Sequence, residues 1–349
     1  MKMKLLVTGS GGLIGSAMVE YFCSHFDEVH GIDNNMRETF FGPNGDTTST
    51  QSRLTSRYKN FIPHSIDIRD KEIEDLFLQH KFSGIVHCAA QPSHDLAAKI
   101  PNLDFSVNAN GTLNLLENMR QHCPDATFVY LSTNKVYGDQ PNLLPLKELD
   151  TRWEYKDLVD QSGIKETMSI DQCIHSLFGV SKIAADLLVQ EYGRNFGLNT
   201  SCLRGGCLTG PSHKGVELHG FLSYLVKANV QEIPYTIFGY KGKQVRDNIH
   251  SLDVAKLVEQ IFAKPNHGEV FNIGGGKSNA CSMIEAISKI EKLSGIKMNS
   301  SYSDVARVGD HICYYSDLSK IKEFYPSWDI TIPLDQIFEE IYMQSKLDS

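Results

Sequence analysis

The sequence has no apolar stretch long enough to cross a bilayer, which takes roughly 18–20 residues. The opening segment MKMKLLVTG places two lysines before an apolar run, but glycine and serine soon interrupt that run, so we expect a first strand and not a signal peptide. The eight cysteines are scattered and none forms a Cys-x-x-Cys pair. This spacing favours reduced, mostly structural thiols and a cytoplasmic location.

Positive charge is also scarce, because 34 Lys and Arg residues face 42 Asp and Glu residues, for a net charge of −8. This balance argues against general nucleic-acid binding, so an anionic ligand would need a local cluster of Arg or Lys. The 13 histidines show no metal-binding spacing such as His-Glu-x-x-His. We therefore predict that no metal, nucleic acid or membrane is a partner.

The chain is long enough, at 349 residues, for one large domain or two closely associated ones. Strand-like and helix-like segments alternate in the first part, which predicts an α/β fold with a Rossmann-type, doubly wound parallel sheet. The later part is irregular and predicts a smaller lobe. We assign 1–200 to a dinucleotide-binding domain, with later strands contributed from the C-terminal part, and 201–349 to an interleaved substrate-binding lobe.

The segment 37–60 interrupts the alternation because it is polar and rich in Thr, Ser and Gly. A connection of this length is either functional or mobile. The sequence favours equally a flap over the ligand and a plain surface excursion.

A glycine-rich turn follows the first strand in LLVTGSGGLIG, where Gly9, Gly12 and Gly15 are spaced three apart. Such a turn lets a pyrophosphate approach the N-terminus of the next helix, whose free N–H groups favour an anion. Asp33 ends the next strand, 18 residues after Gly15, where an acid bonds ribose hydroxyls. The pattern predicts NAD, although Arg37 nearby is of the type that holds the extra phosphate of NADP. A glycine turn without a nucleotide is the alternative.

Two further motifs resemble those of the short-chain dehydrogenase/reductase superfamily, namely LSTNKVYG (131–138) and FGVSK (178–182). The segments HCAAQ, VNANGTLNLLE, QVRDNIHSLDVA and FNIGGG agree with its extended branch, which modifies nucleotide sugars. The resemblance runs from Lys4 to about Phe338. Within that branch the chain is most similar to the CDP-paratose (CDP-tyvelose) 2-epimerases.

The resemblance implies roles for individual residues. Thr133 would bond the sugar hydroxyl that is oxidised, and Lys182 would bind the nicotinamide ribose and lower the pKa of the tyrosine that the branch carries at position 178. Together, Thr133, Phe178 and Lys182 are the expected catalytic positions. The expected NAD-binding residues are Gly9, Gly12, Leu13, Ile14, Gly15, Asp33, Asn34, Asp67, Ile68, Ala89, Ala90, Gln91, Asn108, Ser132 and Lys182.

On the substrate side, the resemblance places Arg246 and Arg307 on the nucleotide diphosphate, which a planar guanidinium matches well. The expected substrate-binding residues are His94, Asn134, Lys135, Cys207, Lys214, Gln244, Arg246 and Arg307. His94 is equally consistent with a loop histidine bonded to backbone, and a packing role is the alternative for Cys207. His219 and Phe221 lie near Lys214 in a segment that would face the base.

The resemblance implies epimerisation at C2 of a CDP-sugar through a 2-keto intermediate, with NAD as the cofactor. A 4-epimerase and a non-catalytic nucleotide-binding sensor are the alternatives. Dehydratases of the branch carry an acidic pair where this chain has Asn134 and Lys135, which counts against that reaction. The branch usually dimerises through two helices, so we expect a homodimer through helices around 101–122 and 175–197.

Phe178 departs from the branch because it lacks the hydroxyl of the expected tyrosine. Losing a positioned general acid/base typically removes about 10²–10⁴-fold of rate. Three interpretations are open: an introduced Tyr→Phe change, a natural enzyme that moves the proton through water or another side chain, and a natural non-catalytic relative. In all three, the phenyl ring preserves the packing of a tyrosine.

Overall fold

The computed structural model describes residues 2–212, 215, 220–306 and 309–347. Contacts divide the chain into two units that interleave along the sequence. The first unit comprises Met1–Thr133, Leu177–Arg204 and Val254–Phe271, and the second comprises Asn134–Ser176, Gly205–Asp253 and Asn272–Ser349. The predicted division into domains at residue 200 stays a prediction.

A seven-stranded sheet organises the first unit, in the order β12-β8-β5-β4-β1-β2-β3. The strands are β1 (Lys4–Thr8), β2 (Glu28–Ile32), β3 (Phe61–His64), β4 (Gly84–His87), β5 (Thr127–Thr133), β8 (Asn199–Gly205) and β12 (His267–Ile273). β1 lies parallel to both β2 and β4, so the order of the strands reverses at this point. In doubly wound sheets, ligands bind beyond the carboxyl ends of the strands at such a reversal.

Helices accompany this sheet, and apart from the two between β2 and β3 they follow the predicted alternation of strands and helices. They are α1 (Leu13–Phe22), α2 (Met36–Phe41), α3 (Thr48–Arg57), α4 (Glu72–His80), α5 (His94–Ala97), α6 (Pro101–Phe105), α7 (Gly111–His122), α8 (Ser176–Phe196) and α10 (Ser251–Ala263). A core of fully buried side chains, among them Leu6, Ile85, Phe128, Leu115 and Val189, joins the sheet to α7 and α8. The predicted α/β fold with a doubly wound parallel sheet is confirmed.

The second unit contains shorter strands and its own helical core. Its strands are β6 (Leu146–Glu148), β7 (Trp153–Tyr155), β9 (Cys207–Thr209), β10 (Tyr235–Phe238), β11 (Val245–His250), β13 (Ala280–Ser282), β14 (Ser300–Ser303) and β15 (Cys313–Tyr314). Its helices are α9 (Phe221–Val230), α11 (Met283–Ser294), α12 (Ser319–Phe324) and α13 (Leu334–Leu347). β11 is central, because β9, β13 and β15 all pair with it. α9, α11 and α13 pack around Leu225, Ile290 and Ile337.

The segment 37–60 is mostly helical. The sequence predicted a long loop between β2 and β3, and that prediction was wrong. α2, a 3-10 turn at Gly42–Gly45 and α3 occupy most of the segment. α3 carries mostly Ser, Thr, Gln and Arg and buries one side chain, Leu54. A helix with so few apolar residues lacks the periodic apolar stripe that reveals helices in a sequence.

No helix within the described ranges combines the length and apolar character that a membrane crossing requires. All eight cysteines are free. A cytoplasmic location stays a prediction.

Candidate active site

The glycine turn joins β1 to α1 through unusually close backbone contacts. Gly9 has φ +67°, and a Cβ at this position would lie 2.9 Å from the backbone of Ala89. A Cβ on Gly15 would lie 2.0 Å from the carbonyl oxygen of Gly9, so α1 packs against the turn at a distance that no side chain permits. Gly12 caps α1 without a side-chain bond. The N–H groups of the first helical turn, among them those of Leu13 and Ile14, have no acceptor within a helix, and such groups are what an anion site at a helix N-terminus uses.

Asp33 lies directly beyond β2 and fixes the position of this turn. One carboxylate oxygen accepts the N–H of Gly11 at 2.8 Å. The other accepts the N–H of Asn35 at 2.9 Å and the hydroxyl of Thr47 at 3.1 Å. The carboxylate is therefore held beside the glycine turn, where a ribose of a bound dinucleotide would lie.

The segment 37–60 also contacts the turn. Gln51 on α3 donates a hydrogen bond from Nε2 to the hydroxyl of Ser10 at 2.7 Å. Arg37 stacks on Phe41 with 4.8 Å between the guanidinium carbon and the ring centroid. These contacts place part of the segment beside the glycine turn, and the choice between a flap over the ligand and a surface excursion stays open.

A second acidic group lies beyond β3. Asn34 donates to a carboxylate oxygen of Asp67 at 3.0 Å, and Arg69 binds both oxygens of Asp67 at 2.8 and 2.7 Å. Burial raises the pKa of Asp67, but the hydrogen bonds from Arg69 and Asn34 outweigh burial and lower it overall. Ile68 is buried, and its carbonyl accepts from Asn114 on α7 at 2.8 Å. Asp67 and Ile68, which the resemblance places at the adenine of NAD, are thus held by these hydrogen bonds, and their role stays a prediction.

Beyond β4, Ala89 and Ala90 lead to a buried network around Gln91. The N–H of Gln91 donates to Asn108 Oδ1 at 2.9 Å, and Asn108 Nδ2 donates back to the Gln91 carbonyl at 3.2 Å. Asn108 Nδ2 also reaches the hydroxyl of Ser181 on α8 at 2.9 Å. Asn108 lies in a π-helical turn, Ser106–Asn110, and such turns are frequent at functional sites. Asn108 therefore ties the end of β4 to the helix that carries Phe178 and Lys182.

Phe178, Lys182 and Asp186 lie four residues apart on α8 and so share one face of the helix. All three are buried. Lys182 donates from Nζ to the carbonyl of Leu131 on β5 at 2.8 Å, and its ammonium lies 4.3 Å from the ring centroid of Tyr130. Burial lowers the pKa of Lys182 to about 8, against the opposing charge of Asp186. Lys182 is therefore mostly protonated at neutral pH but close to its titration.

Asp186 is the acid that balances this buried ammonium. Its carboxylate accepts the hydroxyl of Ser132 at 2.6 Å and the guanidinium of Arg204 on β8 at 2.9 and 3.1 Å. Gln190, one turn further along α8, donates to it at 2.6 Å. Thr133 follows Ser132 at the end of β5. The backbone beside Thr133 is thereby held against α8.

These residues fit the binding of a dinucleotide. The glycine turn offers close backbone approach, the carboxylate of Asp33 lies beside it, and the buried ammonium of Lys182 lies at the end of β5. The first unit thus contains the predicted cofactor residues and all three predicted catalytic positions, and their roles stay predictions.

In the second unit, the predicted substrate residues Arg246 and Lys135 converge on Asp310. Arg246 forms a short ion pair with Asp310, and it donates to its neighbour's carbonyl, that of Val245, at 2.6 Å. Lys135 donates to the carbonyl of Gly309 at 3.0 Å and lies 3.8 Å from the Asp310 carboxylate. Burial opposes ionisation of Asp310, but Arg246 and Lys135 hold its pKa well below the usual range. Two cations and one carboxylate leave a net positive charge in this cluster, and the predicted contact with the diphosphate stays a prediction.

Three other predicted substrate residues have clear surroundings. Gln244 is buried and donates to the carbonyl of Phe238 at 3.2 Å. Cys207 is half-buried and pairs with Asn248 across β9 and β11, and burial raises the pKa of its thiol to about 12. Both of its predicted roles, substrate contact and packing, stay predictions. Asn134 is buried in the 3-10 turn that follows Thr133.

His94 begins α5, and its Nδ1 lies 3.4 Å from the carboxylate of Asp95. Arg307, Lys214 and His219 lie outside the described residues. The predicted roles of these residues stay predictions.

Sequence reasoning missed several polar residues that hold the site. Asp186 is missed because a lone acid on a helix reads as a solvated residue, although its spacing of four from Lys182 was a usable signal. Arg204 and Asp310 reach their partners across 18 and 64 residues, respectively. No local pattern reveals contacts at such separations.

The profile of the NAD dependent epimerase/dehydratase family matches residues 5–274. The chain belongs to this family. The resemblance seen in the sequence is confirmed, and with it the assignment to a family of NAD-dependent enzymes that act on nucleotide sugars.

Individual relatives extend over nearly the whole chain. A CDP-paratose 2-epimerase from Salmonella typhi is 32% identical over 327 residues, which cover 91% of this chain and 92% of the relative. A UDP-glucuronate 4-epimerase from Thermodesulfobacterium geofontis is 27% identical, covering 95% and 92%. A crystal structure of a Bacillus cereus UDP-glucuronic acid 4-epimerase superimposes with a TM-score of 0.81 at 26% identity, covering 99% of this chain and 100% of that one.

The Bacillus cereus protein is a Tyr-to-Phe mutant in complex with UDP-4-deoxy-4-fluoro-glucuronic acid and NAD. A second structure of that enzyme, with UDP-glucuronic acid and NAD, superimposes with a TM-score of 0.80. The predicted NAD cofactor is confirmed by the family.

The first prediction concerns the pH dependence of NAD affinity. If the Lys182 ammonium binds NAD, affinity stays constant below the pKa of about 8 and falls above it, because the group loses its charge. Because binding then requires one proton on Lys182, each pH unit above the pKa weakens NAD binding by up to about tenfold. Calorimetric titration of NAD into the cofactor-free protein from pH 6.5 to 9.5 measures this.

The Lys182→Met variant is the control, since it cannot titrate and should bind NAD weakly with a flat profile over this range. Unchanged affinity of the unsubstituted protein up to pH 9.5, together with normal NAD binding by Lys182→Met, would remove Lys182 from the cofactor site.

The second prediction concerns the cluster that Arg246 and Lys135 form around Asp310. Arg246→Ala should weaken the binding of CDP by about 1.5–3 kcal/mol, the usual contribution of a hydrogen bond to a charged group, which corresponds to about 10–150-fold in Kd. Calorimetry with CDP measures the change.

Arg152→Ala is the matched control, because Arg152 in the same unit is also paired with an acid, Glu285. This variant should bind CDP normally. Equal affinities for all three proteins would place the diphosphate elsewhere.

Proposed function

We propose that this protein epimerises a CDP-sugar at C2 through a transient 2-keto sugar, and that Phe178 impairs turnover in the chain as it stands. Cytosine as the base and C2 as the inverted carbon are proposed because the chain is 32% identical, over 91% of its length, to a CDP-paratose 2-epimerase. The buried array on α8 supports the chemistry, because it presents a ring at 178 and an ammonium at 182 beside the end of β5.

Bound NAD supplies reversible hydride transfer. The side chains bind, orient and move the proton. Thr133 accepts or donates a hydrogen bond at the sugar hydroxyl, and the phenolate of a tyrosine at position 178 would take the proton of that hydroxyl as hydride leaves. The Lys182 ammonium lowers the pKa of such a phenol because it stabilises the phenolate. With phenylalanine at 178, the proton lacks this acceptor.

Epimerisation is favoured over the dehydratase reaction that the family also includes. A 4,6-elimination needs an acid and a base, and the chain offers Asn134 and Lys135 where dehydratases carry acidic residues. Lys135 is in addition occupied by the Gly309 carbonyl and Asp310. These two residues are therefore proposed to contact substrate without transferring a proton.

A 4-epimerase of a UDP-sugar is the second candidate, because the UDP-glucuronate 4-epimerases cover the chain as completely. A non-catalytic sensor is the third, and Phe178 is the observation that favours it.

A homodimer through α7 and α8 is supported by the exposed apolar side chains of Leu113, Val180 and Leu187 on those helices. Sedimentation as a monomer would contradict it.

The third prediction tests the missing hydroxyl. Phe178→Tyr should raise epimerase turnover by about 10²-fold or more, the usual contribution of a positioned general acid/base. Stability should stay nearly constant because the ring is unchanged. Turnover of CDP-paratose, followed by separation of the two epimers, measures the gain.

Two variants serve as controls. Phe196→Tyr makes the same chemical change at an exposed position of the same helix and should restore nothing. Phe178→Tyr combined with Lys182→Met should fall back towards the starting level. If the Phe178 protein already turns over as fast as its tyrosine variant, the proton travels by another route, with Thr133 and His94 as the first residues to replace.

A further inference from the structure

Three histidines and a glutamate meet on one face of the first unit's sheet. Glu28 and His30 alternate on β2, so their side chains share a face. His64 ends β3 and pairs with Ile32 on that same face, while His80 lies in the last turn of α4. His30 is fully buried at the centre of the group.

The geometry within this group is close. One ligand atom from each of Glu28, His30 and His80 lies within 4.8 Å of the others, and no second group of this kind occurs in the described parts of the chain. His30 Nε2 lies 3.4 Å from Glu28 Oε2. The rings of His30 and His80 have centroids 4.1 Å apart. Around a tetrahedral ion with ligands at about 2.0–2.2 Å, neighbouring ligand atoms are about 3.3–3.6 Å apart, so the spacing of 3.4 Å between His30 Nε2 and Glu28 Oε2 already fits.

We propose that Glu28, His30 and His80 bind a divalent transition-metal ion of the Zn²⁺ class, with His64 orienting His30. Two imidazole nitrogens and one carboxylate oxygen are a ligand set that suits Zn²⁺, Co²⁺ and Ni²⁺ and not the all-oxygen sites of Mg²⁺ or Ca²⁺.

His64 supplies the support that a metal-bound histidine usually has. Its Nε2 lies 3.0 Å from His30 Nδ1, and the two rings are nearly parallel, at 8°. If His30 carries its proton on Nδ1 and donates it to His64, the lone pair of Nε2 faces the Glu28 carboxylate. Two acceptors then point at each other, and a cation between them relieves the repulsion.

The protonation states agree with this role. Burial lowers the pKa of His30 to about 4, and burial also lowers the pKa values of His64 and His80. All three rings are therefore neutral at pH 7, the form in which imidazole binds metal. Hydrogen bonds from Lys4 and Lys2 lower the pKa of Glu28 to about 2, so it is ionised.

Lys2 and Lys4 also compete with the ion. Their ammonium groups lie 3.2 and 2.9 Å from the two oxygens of Glu28. Neutralising the more exposed one, Lys2, should therefore tighten metal binding. This effect distinguishes a site at Glu28 from adventitious binding to cysteines.

The site is separate from the proposed cofactor site. Glu28 begins β2, whereas Asp33 follows the other end of that strand. An ion here would tie α4 to β2 and stabilise the first unit, so the readout is binding and thermal stability, independent of NAD and of turnover.

The fourth prediction uses the full-length, tag-free protein, stripped of metal with EDTA and titrated calorimetrically with ZnCl₂. One equivalent should bind, and the thermal unfolding midpoint should rise. His80→Gln should weaken this binding by at least about 10-fold, because loss of a residue that only supports a metal ligand already weakens metal binding by about 10–100-fold. Lys2→Gln should strengthen it.

His25→Gln is the matched control, because His25 is a partly exposed histidine that also pairs with a glutamate, Glu259, at 3.4 Å. It should bind Zn²⁺ as the unsubstituted protein does. Glu28→Gln is a second loss variant should His80→Gln unfold. Absence of saturable binding, or equal binding by the His80→Gln, Glu28→Gln and unsubstituted proteins, would overturn the proposal.

Discussion

The buried ammonium of Lys182 is the charge on which the arrangement of the first unit depends. Taking an ammonium out of water costs several kcal/mol unless partners replace its hydration. The chain provides the Leu131 carbonyl, the face of Tyr130 and, one helical turn away, the carboxylate of Asp186. Asp186 is in turn matched by Arg204.

This chain of partners has a geometrical consequence. It binds α8 to β5 and β8 at the end of the sheet where Thr133 lies, so residue 178 and Thr133 take their positions from the same set of contacts. Asn108 reinforces the arrangement from the other side through Ser181. A ring without a hydroxyl at 178 leaves all of these contacts intact, which is why the fold accepts Phe178 although the proposed chemistry does not.

Much of the cofactor site is predictable from sequence because it depends on local patterns. The three glycines, the acid after the next strand and the pair of positions 178 and 182 each lie within a short window whose geometry is set by the turn or helix. Residues that meet only through the fold were missed. Asp186 with Arg204, Gln51 with Ser10 and Glu28 with His80 lie 18, 41 and 52 positions apart in the sequence. The polar helix α3 was missed for a different reason, since it buries Leu54 alone and shows no apolar periodicity.

The proposed reaction inverts C2 of a CDP-sugar by removing and returning the same hydride. It is tested most directly by ¹H NMR of CDP-paratose incubated with the Phe178→Tyr protein in D₂O. We expect a product inverted at C2 that keeps its original hydrogen there, because the hydride does not exchange with solvent. Inversion at C4, or deuterium at the inverted carbon, would contradict it.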